Sequence, residues 1–394
     1  MFSQSANRRT FLKRSMLQAG GLSLLPLIRP TDSMAQHAYE GPNVILVRFG
    51  GGVRRQETII PGSTYAPYFL YELSKRGTLF TNMMLSQLDG VQTSHGQGTL
   101  YLLTGRYEHY QDIENRFLGQ RFEPPTPTLF EYLRKTYDIP MHQTLIINGE
   151  DRTDEEFYSF SNHHLFGVDY RSTVLSLYRY KVYLLRQQIQ DPALPDEARQ
   201  AKQRELDELQ TIDYRLKGQS LDTPEIDQFW ANWRAHYGDS GFVNPRGDRL
   251  LAELSLRAMQ ELRPRLMMIN FNDPDYVHWG NPSHYTLGIS IIDQCLQRLI
   301  SFVDHDEFYA GNTVIVIVPD CGRDDNRFMS VPFQHHFDSK SAHEIFALLL
   351  GPGIQQGVKI DDRVDQTSIA ATIGHLMNMP ADYTEGPVLE QALT

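Results

Sequence analysis

A chain of 394 residues, 41% hydrophobic and 22% charged, is long enough for one large core or two smaller ones, which excludes a disordered or fibrous protein. Its formal charge of -11 speaks against a nucleic-acid partner drawn in by bulk charge. Its two cysteines, Cys295 and Cys321, belong to no CxxC pair; in an oxidising compartment they are either buried singly or bonded to each other.

The first element is a leader. NRRTFLKRS (Asn7 to Ser15) sets paired arginines before an apolar run, Met16 to Ile28, which ends near Ser33-Met34-Ala35. That is the pattern of a twin-arginine export signal cleaved after Ala35. The run is too short and too Gly-rich to cross a bilayer of roughly 30 Å. Residues 1–35 are therefore expected to be a signal peptide, and the mature chain to be periplasmic or otherwise exported, with no transmembrane segment. Loss of the leader removes five basic residues and one acid and takes the charge to about -15.

NVILVRF (Asn43 to Phe49) then reads as a buried strand ending in the loop Gly50 to Gly52. Helical spacing from Tyr65 to Lys75 precedes a second strand, GTLFTNMML. TLYLLTG (Thr99 to Gly105) predicts a short helix stopped by its glycine, Thr128 to Tyr137 another helix, and QTLIING (Gln143 to Gly149) another strand. Residues 36–165 thus form the first half of an α/β domain. The pattern breaks from about Tyr170 to Leu216, where two charged helices flank a proline-marked turn. Residues 166–247 are expected to hold an inserted helical hairpin, either solvated or acting as a cap whose Tyr178, Tyr180, Tyr183, Trp230 and Trp233 face a ligand. Alternation resumes over 248–394: a helix from Arg249 to Leu262, the strand RLMMINF, a long helix from Tyr285 to Val303, the strand TVIVIV, the strand IFALLLGPG and the helix Gln366 to Met377. Alternating strands and helices predict an α/β fold with a mostly parallel central sheet flanked by helices on both faces.

Ligands of open α/β sheets bind at the carboxyl ends of the strands, and four such places carry informative residues. NDPDYVHWG follows a strand and holds Asp273, Asp275 and His278 within six positions; carboxylate with imidazole suits a divalent metal such as zinc or manganese, and the plainer alternative is an Asp/Pro-rich turn with a surface histidine. VIVIVPDCGRDDN delivers Asp320 and Cys321 at a strand end. In SAHEIFALLLGPG, His343 precedes a strand. In TSHGQGTLYLLTG, Ser94 and His95 stand before a helix whose N-terminus would favour a phosphate or sulfate, although Ser94 with Gln97 also reads as a capping box.

Taken in this order, LLTGRY, the NDPDYVHWG loop with the helix YTLGISIIDQCLQRLISFV, the strand ending in PDCG, and HEIFALLLGPGI with the helix DQTSIAATIGHLM resemble the alkaline phosphatase superfamily, which includes sulfatases, nucleotide pyrophosphatases and cofactor-independent phosphoglycerate mutases. The resemblance runs from about Asn43 to Leu389, apart from the insertion. It implies an alkaline phosphatase-like fold and a metal-dependent hydrolase or transferase acting on small anionic phosphate or sulfate esters. By the same resemblance Asp275 and His278, three apart where the family usually has four, and His343 would hold one metal. Asp320 would serve a second, with Cys321 where the family has histidine and Gly50 where it has a first-strand aspartate. Completing that second site would fall to Cys321 as thiolate or to His335 and His336. The attacking group falls on His95 or Ser94. The cofactor implied is a divalent metal, zinc first with manganese or calcium as alternatives, at one site rather than two. The other reading is a family member that has lost its chemistry and serves as an envelope binding or interaction protein.

Overall fold

The computed structural model describes residues 38–87, 91–108, 124–149, 158–210, 223–241, 247–279, 281–325, 334–335 and 339–394. The expected leader with its cleavage point after Ala35, and His336, lie outside them.

The β-branched run Asn43–Arg48 (β1) is buried at all six positions and sits inside a nine-stranded sheet. The other strands are Gly77–Met84 (β2), Thr144–Ile147 (β3), Thr173–Leu175 (β4), Leu266–Asn270 (β5), Thr313–Val318 (β6), Glu344–Leu350 (β7), Val358–Ile360 (β8) and Val364–Asp365 (β9). They follow the order β4-β3-β5-β1-β6-β7-β2-β8, with β9 also paired to β2. All pairings are parallel except those of β7, which runs against both β6 and β2. The amino end of β7 therefore meets the edge at which the other strands finish, and His343 arrives there one residue before it.

Alternation along β1 assigns the two faces. Ile45 and Val47 pack with Trp230 and Trp233 of Pro224–Tyr237, Leu254 of Asp248–Leu262 and Ile292 of Pro282–His305. Val44 and Leu46 pack with Leu102 of His95–Thr104, Leu133 of Leu129–Tyr137 and Ile373 of Ser368–Leu376. In chain order the helices are Arg55–Thr58 (α1), Pro67–Tyr71 (α2), His95–Thr104 (α3), Leu129–Tyr137 (α4), Leu177–Gln190 (α5), Asp196–Gln210 (α6), Pro224–Tyr237 (α7), Asp248–Leu262 (α8), Pro282–His305 (α9), Lys340–His343 (α10) and Ser368–Leu376 (α11). The fold is thus α/β with a mostly parallel sheet covered on both faces, as the alternation predicts. Among the described residues no helix is long and apolar enough to cross a membrane.

Three details depart from the sequence expectation. The helical spacing over Tyr65–Lys75 yields α2 and then a 3-10 turn, Leu73–Arg76, because the chain tightens after Tyr71. Strand β4 falls within 166–247, too short at three residues to show a period. Helices α5 and α6 do form a hairpin with its own small contact of Val182, Leu185 and Leu206, but the inner side of α5 is part of the main core. Tyr180, Tyr183, Trp230 and Trp233 are buried in that core rather than lining an open face. Cys295 and Cys321 are each buried and not bonded to each other.

Candidate metal centre

The site is assembled where α3, the loop after β5 and the loop after β6 meet. Ser94 caps α3, its Oγ accepting from Gln97 N at 3.4 Å, and His95 is the first helical residue. The helix starts four residues before the apolar run Thr99–Gly105 suggests, since Gly96 and Gly98 hide it from a propensity reading. Gly98 has a contact reason: a Cβ there would stand 2.3 Å from Asp320 O, so only glycine lets α3 lie directly on the end of β6. Asp275 and His278 lie on the 3-10 helix Asp273–Trp279, where residues three apart share a face. That geometry reconciles their spacing of three with a common target. Asp273 instead builds the loop. It accepts from Asp248 N at 3.0 Å, while Asp248 accepts from Asn272 N and Asp273 N at 2.8 Å each, so the two acids cap each other's helices.

Asp275 Oδ1 is the hub. It lies 2.9 Å from His95 Nε2, 2.8 Å from His278 Nε2, 3.5 Å from His335 Nε2 and 3.0 Å from Arg323 Nη2. His95, Asp275, His278 and His335 each offer a ligand atom, all within 4.8 Å of one another; His95, Asp320 and Cys321 form a second such group. The set of three imidazoles and a carboxylate matches what zinc and manganese accept. A closer observation favours a cation too: His95 Nε2 is buried beside Asp275 yet has no hydrogen-bond geometry to any described residue. The opposite ring nitrogens are fixed. His95 Nδ1 lies 2.6 Å from Asp320 Oδ2, and His335 Nδ1 lies 2.6 Å from Thr93 O, while the Thr93 hydroxyl donates to His335 O.

Asp320 is buried and meets Arg48 Nη1 at 3.4 Å; its Oδ1 accepts from Cys321 N at 2.9 Å. Arg48 also donates to Thr99 Oγ1, Phe271 O and Asn272 Oδ1. Its guanidinium runs through the space a side chain at residue 50 would need: a Cβ on Gly50 would stand 2.0 Å from Phe271 O and 2.8 Å from Arg48 Nε. Arg323, equally buried, donates to Gly51 O and Gly52 O and so ties the glycine loop to Asp275.

These charges set the protonation states. Burial alone would raise Asp275, but His95 and its companion imidazoles hold it far below the carboxylate range. Burial would also raise Asp320, and His95 and Arg48 outweigh it, leaving the carboxyl well below its ordinary value. For His95, burial pulls the pKa down and the two carboxylates more than reverse that. Burial and then Asp320 push the Cys321 thiol well above its ordinary value. Its Sγ is 3.9 Å from both His95 Nδ1 and His335 Nδ1.

Of the residues the sequence singles out, Asp275, His278, His95, Asp320 and Cys321 come together. His343 is buried in the same edge, its carbonyl accepting from Leu85 N, but it is in neither metal-ligating group. His335 enters beside Asp275. Arg48 and Arg323 match no site pattern in the sequence; the available signal was a charge closing an otherwise apolar strand and an arginine two residues after Cys321.

No protein-family model and no curated protein sequence matches the chain. Solved structures do. A protein of the alkaline phosphatase superfamily from Vibrio parahaemolyticus aligns over 91% of this chain and 72% of its own, at 13% identity and a TM-score of 0.56. Wild-type alkaline phosphatase PafA aligns over 91% of this chain and 100% of its own, at 11% identity and a TM-score of 0.52. The 2-O GAG sulfatase BT1596 aligns over 90% and 74%, at 12% identity and a TM-score of 0.51. The chain therefore has the alkaline phosphatase-like fold. At these identities the likeness extends to the fold alone.

Proposed function

We propose that this chain is an exported hydrolase or transferase of small phosphate or sulfate esters, built on a divalent-metal centre at the carboxyl edge of its sheet. The convergence of three imidazoles on Asp275 Oδ1 carries the reading. His95, Asp275, His278 and His335 would hold the cation, zinc by preference and manganese or calcium as alternatives. Bound there, it would supply Lewis acidity toward an ester oxygen and neutralise developing negative charge.

The remaining work falls to this chain's own groups. Both ring nitrogens of His95 face carboxylates, so the imidazole is committed to holding the site and Ser94 is left as the attacking hydroxyl. Ser94 stands at the start of the ten-residue helix α3, where backbone N–H groups and the helix dipole favour an anionic ester. His343, at the same edge, would serve the site from outside the ligand group. The twin arginines Arg8 and Arg9 support export by the route that carries folded proteins.

The deciding experiment combines metal analysis of the purified protein by mass spectrometry with assays on p-nitrophenyl phosphate, bis-p-nitrophenyl phosphate and p-nitrophenyl sulfate, with added zinc or manganese. Bound metal and turnover of at least one ester are expected, with turnover lost and metal kept in Ser94→Ala. A protein without metal and without turnover would contradict the reading.

A second reading, an envelope protein that binds an anionic ligand without turning it over, draws on Gly50 and Arg48, which leave no acidic side chain at the end of β1. Metal-dependent binding of inorganic phosphate or sulfate by calorimetry, with no turnover of any ester, would favour it.

A further inference from the structure

Two groups of ligating side chains share His95, and they cannot serve a cation in the same way. In the first, His95 presents Nε2 to Asp275 without a hydrogen bond, alongside His278 and His335. In the second, His95 Nδ1 lies 2.6 Å from Asp320 Oδ2, the distance of a charge-assisted hydrogen bond. Asp320 is already matched, by Arg48 at 3.4 Å and by Cys321 N at 2.9 Å. Asp275 also meets a buried guanidinium, Arg323 at 3.0 Å, so what separates the two groups is the hydrogen bond at His95 Nδ1 and not the neighbouring charge. The other strand end that could add a carboxylate is closed by Gly50, whose Cβ position is blocked by Phe271 O.

A histidine that binds metal through one nitrogen normally donates the other N–H to a carboxylate or carbonyl, which fixes the tautomer and aims the ring. His95 has that arrangement with Asp320, and His335 repeats it independently with Thr93 O. We infer that Asp320 is a positioning residue and not a ligand: it holds His95 by Nδ1 so that Nε2 faces Asp275, Arg48 balances its charge, and the centre takes a single divalent cation on His95, Asp275, His278 and His335. This deepens the metal reading above and rests on it.

The test uses the purified full chain titrated with Co2+, whose visible absorption reports its ligands. The wild type is expected to take up a single equivalent, with no thiolate-to-metal charge-transfer band. His278→Ala should lose the absorption. Asp320→Asn should keep the single equivalent, bind it about 10- to 100-fold more weakly and shift the absorption, as loss of a supporting carboxylate does. Because Asp320→Asn leaves Arg48 without its partner, the double variant Arg48→Met/Asp320→Asn provides the same reading in a site freed of both charges. Uptake of two equivalents, a charge-transfer band that Cys321→Ser removes, or unchanged affinity and spectrum in both Asp320 variants would overturn the positioning role. No Co2+ uptake by the wild type, or full uptake in His278→Ala and His335→Ala, would instead overturn the metal reading beneath it, and the inference with it.

Discussion

Arg48 Nη1 and Asp320 Oδ2 face each other at 3.4 Å with both side chains shut off from solvent. One comes from the end of β1 and the other from the end of β6, adjacent parallel strands in register. The pair thus joins the two central strands at the edge that carries the site. Removing one partner of a buried pair strands the other charge, at a cost of about 3–5 kcal/mol. Arg48→Met is expected to lower the free energy of unfolding by that amount, read as a lower urea midpoint with an unchanged slope. Arg48→Met/Asp320→Asn should recover part of the loss, since both charges are then gone. Equal stability of Arg48→Met and the wild type would show that the pair contributes nothing.

Glu131 is a second buried acid with a purely structural task. It closes a capping box on α4 by accepting from Thr128 N at 2.7 Å, and it pins the following segment through Ser161 Oγ and Gly167 N, both at 2.7 Å. Glu131→Ala leaves those donors buried, with a loss of at least about 1–3 kcal/mol and a lower Tm. Burial raises the Glu131 pKa even though the donors oppose it. The folded chain therefore holds this proton more tightly than the unfolded chain. The resulting stability is present below the unfolded glutamate value, about 4.3, and is lost as pH rises through the folded value. The stability difference between wild type and Glu131→Gln should shift against the wild type over that rise, as read from unfolding curves at a series of pH values.

The aromatic side chains of the helical region separate packing from ligand contact. Trp230 is buried against Tyr180 and Phe229, with ring centroids at 5.4 and 5.0 Å, inside the main core. Leu206, on α6, belongs to the small separate cluster with Val182 and Leu185. Trp230→Ala should cost about 3–5 kcal/mol, and Leu206→Ala about 2–3, the lower end of the leucine range. A Trp230→Ala protein of native stability that had lost only ligand affinity would restore the cap reading of these residues.

The sheet was legible because its strands are apolar runs bounded by Gly, Pro or charge: Asn43–Arg48, Leu266–Asn270 and Thr313–Val318 each match their predicted strands within a residue or two. The start of α3 was not, because Gly96 and Gly98 look like loop residues, and the close contact that Gly98 serves lies with a residue far along the chain. In the site, Asp275 and His278 could be paired from spacing, since a single short loop carries both. Arg48 and Arg323 could not, because a charge at a strand end reads as a surface residue until the partner carboxylate, more than two hundred residues away for Arg48, is brought beside it. His335 could be named only as one of a pair with His336, and for the second site, whereas it lies in the group with Asp275. Nothing in FQHHFDSK marks which imidazole turns toward Asp275.

The same logic makes Gly50→Asp informative. Placing an acid at the end of β1 would, on the family resemblance alone, be expected to build a second cation site with Asp320. The structure gives the opposite expectation. A Cβ at residue 50 would stand 2.0 Å from Phe271 O and 2.8 Å from Arg48 Nε, so the backbone between β1 and the loop after β5 must move before any carboxylate can be seated. That loop carries Asp275 and His278, and the strand carries Arg48. Forcing extra atoms into such a packed contact costs about 1–3 kcal/mol or more. Gly50→Asp should therefore lower stability and weaken cation binding at the Asp275 centre without adding a second equivalent of metal, measured by unfolding and by metal analysis of the same preparation. A stable Gly50→Asp protein with doubled metal content would show that the strand end can still host a second cation and that Arg48 moves aside for it.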